Sequence, residues 1–496
     1  MATTAQEQQT STTVLPPGPR RLPYIGNLLS LRQDPLGFLE RLQRTYGNMA
    51  TIYLMKNPAV LLFRPEHVRY VLVEHPRDFS NISSLQGNRD DNFGSEGLLT
   101  INGEKHRQQR HDVQPAFHKK QVEGYAALME QYTQELLKTW QPGDKVDMSR
   151  AMQTLTLRIV SRCLFSIDLS SQLEPLSDAF DGVIGSSTSM AEDLLNIHID
   201  NPVTGYGKRR AAMRQLNMLI YTMIAQRRDS YGDYNDVLSL LMSAQSGDEP
   251  GTKLSEKQIH DHILTFLAAG HETTAIALTW TFYLLSQYPQ VRMKLQDEIR
   301  SVLAGQEPTL DNLARIPYLD WVLNESMRLY PPAWLQMRFV ARETVLDGVQ
   351  LPVGTMLILS QWVTHRLPDI WEDAEVFKPE RWDPANGQQL PPGAYFPFGG
   401  GPRTCIGMPL AQMEARIILA SILQSYTPQP VPGYTPGFQP VITLRPKRHL
   451  QVTLMPASSS EQDAQWRQLV RSNDMAAQDG AERRGCRTAL LGLLGL

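Results

Sequence analysis

The chain has 496 residues, 42% hydrophobic and 20% charged, ample for a large buried core. A net charge of -3 is too small to argue for nucleic acid or an anionic membrane surface as a partner, and no nucleic-acid partner is expected. Three cysteines, Cys163, Cys405 and Cys486, make no disulfide framework and suit a reducing cytoplasm.

Residues 1–14 are rich in Thr, Gln and Ser, lack a signal-peptide pattern and read as a disordered tail. Nowhere does an uninterrupted apolar run reach the about eighteen residues of a membrane span, so no transmembrane anchor is expected. After the proline-rich Leu15-Pro16-Pro17-Gly18-Pro19-Arg20, Asp34-Pro35 opens a helix that Gly47 closes. Strands over 50–55 and 59–63 and a helix over 65–75 follow. Residues 76–103 read as a long loop carrying Ile82, Leu85, Phe93, Leu98 and Leu99; a loop of that length inside a compact domain is usually functional or disordered.

His106 and Arg110 stand at i and i+4 of the next helix, so both can point at one partner. Amphipathic helices broken near Gly143, 193–207 and Gly232 fill the stretch to Met242. Ser255 and Gln258 form a capping box that starts the longest helix, which runs to Tyr288, roughly 50 Å at about 1.5 Å per residue. Its middle, Ala268-Ala269-Gly270-His271-Glu272-Thr273-Thr274, sets a glycine and two threonines where glycine costs about 1 kcal/mol against alanine. Threonine hydroxyls there bond back to i−4 carbonyls, and the helix is expected to open locally. His271-Glu272 does not begin a zinc-protease His-Glu-x-x-His, because the second histidine's place holds Ala275. His260 and His262, two apart, face different directions and are expected at the surface.

Glu325 and Arg328 face each other at the end of a helix that stops at Tyr330-Pro331-Pro332. The stretch 339–360 alternates like strands, with turns at Asp347-Gly348 and 352–354, before Phe377-Lys378-Pro379-Glu380-Arg381-Trp382. Then comes Phe398-Gly399-Gly400-Gly401-Pro402-Arg403-Thr404-Cys405-Ile406-Gly407, followed by a helix with a proline in its first turn. Cys405 therefore sits near a helix N-terminus, where N–H groups and the dipole favour a thiolate. A lone cysteine is more often a small buried hydrophobe, and one cysteine makes neither a zinc nor an iron–sulfur site; one thiolate is what an axial haem ligand requires. The C-terminal 457–496 reads as a second disordered tail whose apolar end is too short to cross a membrane.

With its Phe-x-x-Gly-x-Arg-x-Cys-x-Gly loop, the chain resembles the cytochrome P450 family over 15–456. The resemblance implies one catalytic domain, mainly α with small β-sheets (α+β), the long helix lying over a haem b and the cysteine loop below it. It implies Cys405 as the iron ligand, Phe398 packed near the sulfur and Gly407 in the loop. It makes His106, Arg110, Arg403 and Arg338 propionate contacts. In the long helix Ala269 and Gly270 would line an oxygen pocket, and Glu272 and Thr273 would relay protons to bound dioxygen. Glu325, Arg328 and Arg381 would form a buried structural network.

The activity implied is a cytoplasmic, soluble bacterial monooxygenase, a monomer, that hydroxylates or epoxidises an apolar small molecule, a fatty acid or terpenoid. Such a protein takes electrons from a ferredoxin or flavodoxin with its NAD(P)H-dependent reductase, since the chain carries no dinucleotide fingerprint. Arg107, Lys119 and Lys120 would form the docking patch. The loop over 76–103 and a lid over 193–207 would shape the substrate pocket. A peroxide-using peroxygenase and a non-enzymatic gas sensor are the rival readings.

Overall fold

The computed structural model describes residues 15–81, 94–169, 172–184, 201, 203–229, 234, 236–245, 253–387, 389–431 and 434–457. The tails expected at 1–14 and 457–496, apart from Ala457, lie outside the described residues, as do Ile82, Leu85, Phe93, Gly232 and most of 193–207. The principal helices are α1 (Pro35–Tyr46), α2 (Gly103–Val113), α3 (Ala126–Leu137), α4 (Met148–Phe165), α5 (Leu173–Ile184) and α6 (Gly205–Asp229). They continue with α7 (Val237–Gln245), α8 (Glu256–Gln287), α9 (Pro289–Leu303), α10 (Pro317–Leu329) and α11 (Met408–Ser425).

Capping signals place the ends as expected. Asp34 Oδ1 accepts the Gly37 N–H at 3.1 Å to start α1. For α8, Gln258 N–H donates to Ser255 Oγ at 3.2 Å and Ser255 N–H to Gln258 Oε1 at 2.7 Å. The helix expected over 65–75 is α-helical only for Pro65–Arg69 and finishes as a π turn, Tyr70–Glu74.

One five-stranded sheet has the order β1-β2-β8-β5-β3, from β1 (Met49–Leu54), β2 (Asn57–Leu62), β3 (Phe79–Ser80), β5 (Gln336–Val340) and β8 (Met356–Leu359). All its pairs are antiparallel except β2–β8. A second sheet joins β4 (Lys145–Asp147), β9 (Tyr426–Pro430) and β12 (Gln451–Pro456). Two hairpins complete the strands, β6 (Thr344–Leu346) with β7 (Val349–Leu351), and β10 (Phe438–Pro440) with β11 (Leu444–Pro446).

Helix α8 threads the largest core, packed along α4 and crossed by α10 and α11. Two expectations for it fail for the same reason. His260 and His262 are buried, at 5% and 0% exposure, because α8 is covered on every side over 259–268. His260 Nδ1 lies 2.9 Å from Asp261 Oδ1, and His262 Nε2 lies 2.9 Å from Gln109 Oε1 of α2. Nor does the helix open at Gly270: it stays α-helical throughout, because α4 lies against it. A Cβ on Gly270 would stand 2.7 Å from Val160 Cγ2. The back-bonding does occur, with Thr273 Oγ1 donating to Ala269 O at 2.8 Å. Among the described residues no helix is long and apolar enough to cross a membrane.

Candidate functional site

The cysteine loop is closed on itself: Cys405 N–H donates to Phe398 O at 2.9 Å and Thr404 N–H to Gly401 O at 3.0 Å. Gly401 has φ 62, and a Cβ there would stand 1.8 Å from the Leu72 carbonyl oxygen of the π turn. No other residue type lets the loop approach that turn. Helix α11 begins at Met408, so the N–H groups of Gly407 and Met408 point back at the sulfur. A Cβ on Gly407 would lie 3.9 Å from Sγ, so glycine leaves the sulfur uncovered on that side.

At Cys405 burial and the helix N-terminus act in opposite directions. Burial raises the Cys405 thiol above its ordinary range, and this outweighs the opposing Gly407 and Met408 amides and the Arg110 charge. Cys405 nevertheless keeps accessible surface. Thiolate character there needs a cation at the sulfur, and a metal ion supplies one.

Around the loop the structure gathers the four basic residues named from sequence. His106 and Arg338 are buried, at 6% and 8% exposure. Burial, with Arg403 and Arg110 next, pushes His106 down to about 4. Arg403 is pushed down to about 10 by burial and by Arg338 and Arg110; burial alone takes Arg338 to about 10. Arg403 donates to Leu98 O at 3.4 Å, Ile101 O at 2.5 Å and Asn102 Oδ1 at 3.0 Å, which ties the cysteine loop to the 94–102 segment. Among the described residues no carboxylate pairs with any of the four. Three desolvated guanidiniums that lack an acid, with a neutral imidazole beside them able to donate a hydrogen bond, are a site for anions, and the two propionates of a haem fit it. No cluster of three or more His, Cys, Asp or Glu side chains able to hold a bare metal occurs among the described residues.

In its middle, α8 shows a break in its burial. Ala269 is exposed and Gly270 and Thr273 partly so, within a stretch from Ile259 to Phe282 that is otherwise buried. Thr273 and Glu272 are adjacent but not partnered. Thr273 bonds its own helix, whereas Glu272 Oε1 accepts from Thr443 Oγ1 at 2.5 Å and from Arg445 Nε at 2.7 Å. Gly270 points at Val160 of α4, so its packing role is explicit.

The charge network is compact. Glu325 and Arg328 are fully buried and joined by two bonds of 2.9 Å. Arg381 Nε donates to Glu325 Oε1 at 2.9 Å, Lys378 N–H to the same atom at 3.0 Å, and Trp382 Nε1 to Oε2 at 2.9 Å. Arg328 also holds His365 O at 2.9 Å and Ala374 O at 2.7 Å. His365 Nε2 accepts the Phe396 N–H at 3.1 Å, so the network reaches the segment that leads into the cysteine loop.

Of the loop residues expected at the substrate, Leu98 is buried and Leu99 exposed. In the expected docking patch, Arg107 pairs with Glu104, and Lys119 Nζ lies 3.7 Å from Glu123. Sequence reasoning missed Arg445, Thr443 and Asp181, because Arg445 meets Glu272 across 173 residues. The one local signal was an arginine and a threonine amid the apolar Val441, Ile442 and Leu444.

The family model described as cytochrome P450 matches residues 16–453. The chain is 36% identical to cyclooctat-9-en-7-ol 5-monooxygenase of Streptomyces melanosporofaciens, over 84% of this chain and 90% of that one. It is 34% identical to cyclooctatin synthase of the same organism (90% and 94%) and 31% identical to pentalenene oxygenase of Streptomyces avermitilis (82% and 90%). A solved cyanobacterial cytochrome P450 with retinoic acid bound superposes with a TM-score of 0.79 at 28% identity, over 90% of this chain and all of that one. Sequence and fold agree over the same span, and the chain is a haem-dependent oxidoreductase that belongs to the cytochrome P450 family.

Proposed function

We propose that this protein is a haem-thiolate monooxygenase that hydroxylates or epoxidises an apolar terpenoid, working in the cytoplasm with an external ferredoxin or flavodoxin and its reductase. The observation that carries the reading is Cys405, accessible at the N-terminus of α11 and within reach of the Arg110 charge, beside four basic groups that no carboxylate pairs among the described residues. Terpenoid is favoured over fatty acid because the names of three similar relatives, cyclooctat-9-en-7-ol 5-monooxygenase, cyclooctatin synthase and pentalenene oxygenase, concern terpenoids.

In this reading Cys405 would hold the iron of haem b. Arg110, Arg338 and Arg403 would neutralise its propionates, His106 would donate a hydrogen bond to one of them, and Phe398 would pack near the sulfur. Haem supplies dioxygen activation when bound. The chain's own residues do the rest. Glu325, Arg328 and Arg381 set the segment that presents the loop. Ala269, with only a methyl side chain, would leave room for dioxygen and substrate, and the Thr273 hydroxyl, which bonds the Ala269 carbonyl, would be the group that passes a proton.

The test is the absorption spectrum of the dithionite-reduced protein under carbon monoxide. A strongly red-shifted Soret band, lost in Cys405→Ser, is the expected result; a band typical of histidine ligation overturns it. Titrating a cyclic diterpene alcohol against a long-chain fatty acid then reads the substrate class, and a spectral shift with the fatty acid alone rejects the terpenoid.

A further inference from the structure

The segment over 94–102 has neither helix nor strand, yet both of its ends are tied to the core. At its outer end, Asp261 Oδ2 of α8 accepts the Glu96 N–H at 2.9 Å and the Ser95 hydroxyl at 3.4 Å. Lys257, one turn earlier on α8, donates to Ser95 Oγ at 3.0 Å and lies 3.6 Å from Glu96 Oε1. Gly97 completes the fit: a Cβ there would stand 2.3 Å from Thr265 Oγ1 and 2.6 Å from the Asp261 carbonyl oxygen. The Thr100 hydroxyl, within 2.9 Å of the Gly94, Ser95 and Gly97 carbonyl oxygens, binds the two halves of the segment together. Asp261 is 5% exposed, and its Oδ1 lies 2.9 Å from His260 Nδ1. The His260 ring stacks on Tyr221 of α6, with ring centroids 4.7 Å apart.

At the inner end, the Leu98 and Ile101 carbonyls and Asn102 Oδ1 accept from Arg403 of the cysteine loop. Asn102 Oδ1 also accepts the Asn81 N–H at 2.9 Å, and the next residue, Gly103, opens α2, the helix of His106 and Arg110. Three of the four basic side chains of the anion site are thus attached to this segment. Two physical points decide what the attachment does. Neutral acceptors orient a guanidinium without cancelling its charge, so Arg403 is offered to an anion only where 94–102 holds it. A segment without a helix or strand ladder keeps one position only through its anchors, and the Asp261 anchor is a buried carboxylate.

We propose, resting on the haem reading above, that Asp261 is a positioning residue of the propionate site: it fixes the outer end of 94–102 and so sets where the Arg403 guanidinium stands. The sign of the effect separates this from direct electrostatics. The reduced haem carries one more negative charge than the oxidised one. Loss of a carboxylate alone therefore favours reduction and raises the midpoint potential, whereas loss of a well-placed arginine lowers it.

Amide hydrogen exchange and the midpoint potential of the haem-loaded protein are compared for the wild type, Asp261→Ala, Asp261→Asn, Gly97→Ala, Arg403→Gln and the double variant Asp261→Ala/Arg403→Gln. In Asp261→Ala the amides of 95–101 exchange about tenfold faster, and the potential falls toward that of Arg403→Gln. The double variant falls no further than Arg403→Gln alone. Asp261→Asn still offers Glu96 an acceptor and shows no fall. Gly97→Ala pushes the segment off α8 with Asp261 intact and reproduces both effects, so the comparison holds even where Asp261→Ala does not load haem. A potential that rises or stays unchanged while 95–101 loosens overturns the proposal, and so does unaltered exchange in Asp261→Ala. A wild type without the red-shifted carbon monoxide band instead overturns the haem-thiolate reading, and the exchange comparison still decides whether Asp261 anchors the segment.

Discussion

His262 is fully buried on α8, and burial pushes its pKa down to about 4. In the unfolded chain the same ring titrates near about 6.5. The folded pKa is the lower one, so between these values the unfolded state binds more protons. The stability that the neutral ring contributes is complete above about pH 6.5 and is lost as pH falls toward about 4, at up to about 1.4 kcal/mol for each pH unit. Urea unfolding midpoints measured between those limits are expected to fall more steeply for the wild type than for His262→Gln; equal slopes would reject the assignment. The residue-scale lesson is that a histidine on a helix reads as surface until its neighbours are known. Its partner Gln109 stands 153 residues away on α2.

The helices and segments around the site are held by a few exact fits, and two substitutions probe them. Glu325 accepts from Arg328, Arg381, Trp382 and the Lys378 amide with no exposure of its own. Glu325→Ala leaves two buried guanidiniums uncompensated and is expected to cost about 3–5 kcal/mol. The purified variant should carry little haem, read as the ratio of Soret to protein absorbance; normal loading would detach the network from the cysteine loop. Between α8 and α4, Gly270→Ala gains about 1 kcal/mol of helix propensity and meets Val160 Cγ2 at 2.7 Å, an overpacking of about 1–3 kcal/mol. The variant is therefore expected to be less stable by up to about 2 kcal/mol, with Val160→Ala restoring stability in the double variant. A lack of coupling in that cycle would mean that the two helices part without strain. The Glu325 cluster was legible in sequence because its helix and loop motifs flank it. The α4 contact was not, since nothing local to Val160 marks it.

At the scale of the whole molecule, the proposed function needs electrons from elsewhere. NADPH alone is expected to leave the iron oxidised, and a ferredoxin with its reductase to reduce it within a turnover; reduction by NADPH alone would reject an external donor. Salt should change that rate little through Arg107 and Lys119, because Glu104 and Glu123 already pair with them at the surface. By itself the sequence determined the helix ends at Asp34 and Ser255 and the hairpin turn at Asp347-Gly348, and through the resemblance carried by its motifs it implied the fold class and offered Cys405, His106, Arg110 and Arg403 as candidate site residues. Each rests on local chemistry: a cap, a turn or a short motif. Tertiary structure alone decided that α8 has no outward face at His260 and His262, that Gly270 serves helix packing, and that the Cys405 thiol is raised by burial before any metal is bound. It also decided that Glu272 faces Arg445 rather than Thr273. Those facts depend on desolvation and on pairs of residues far apart in the chain, and neither leaves a local pattern to read.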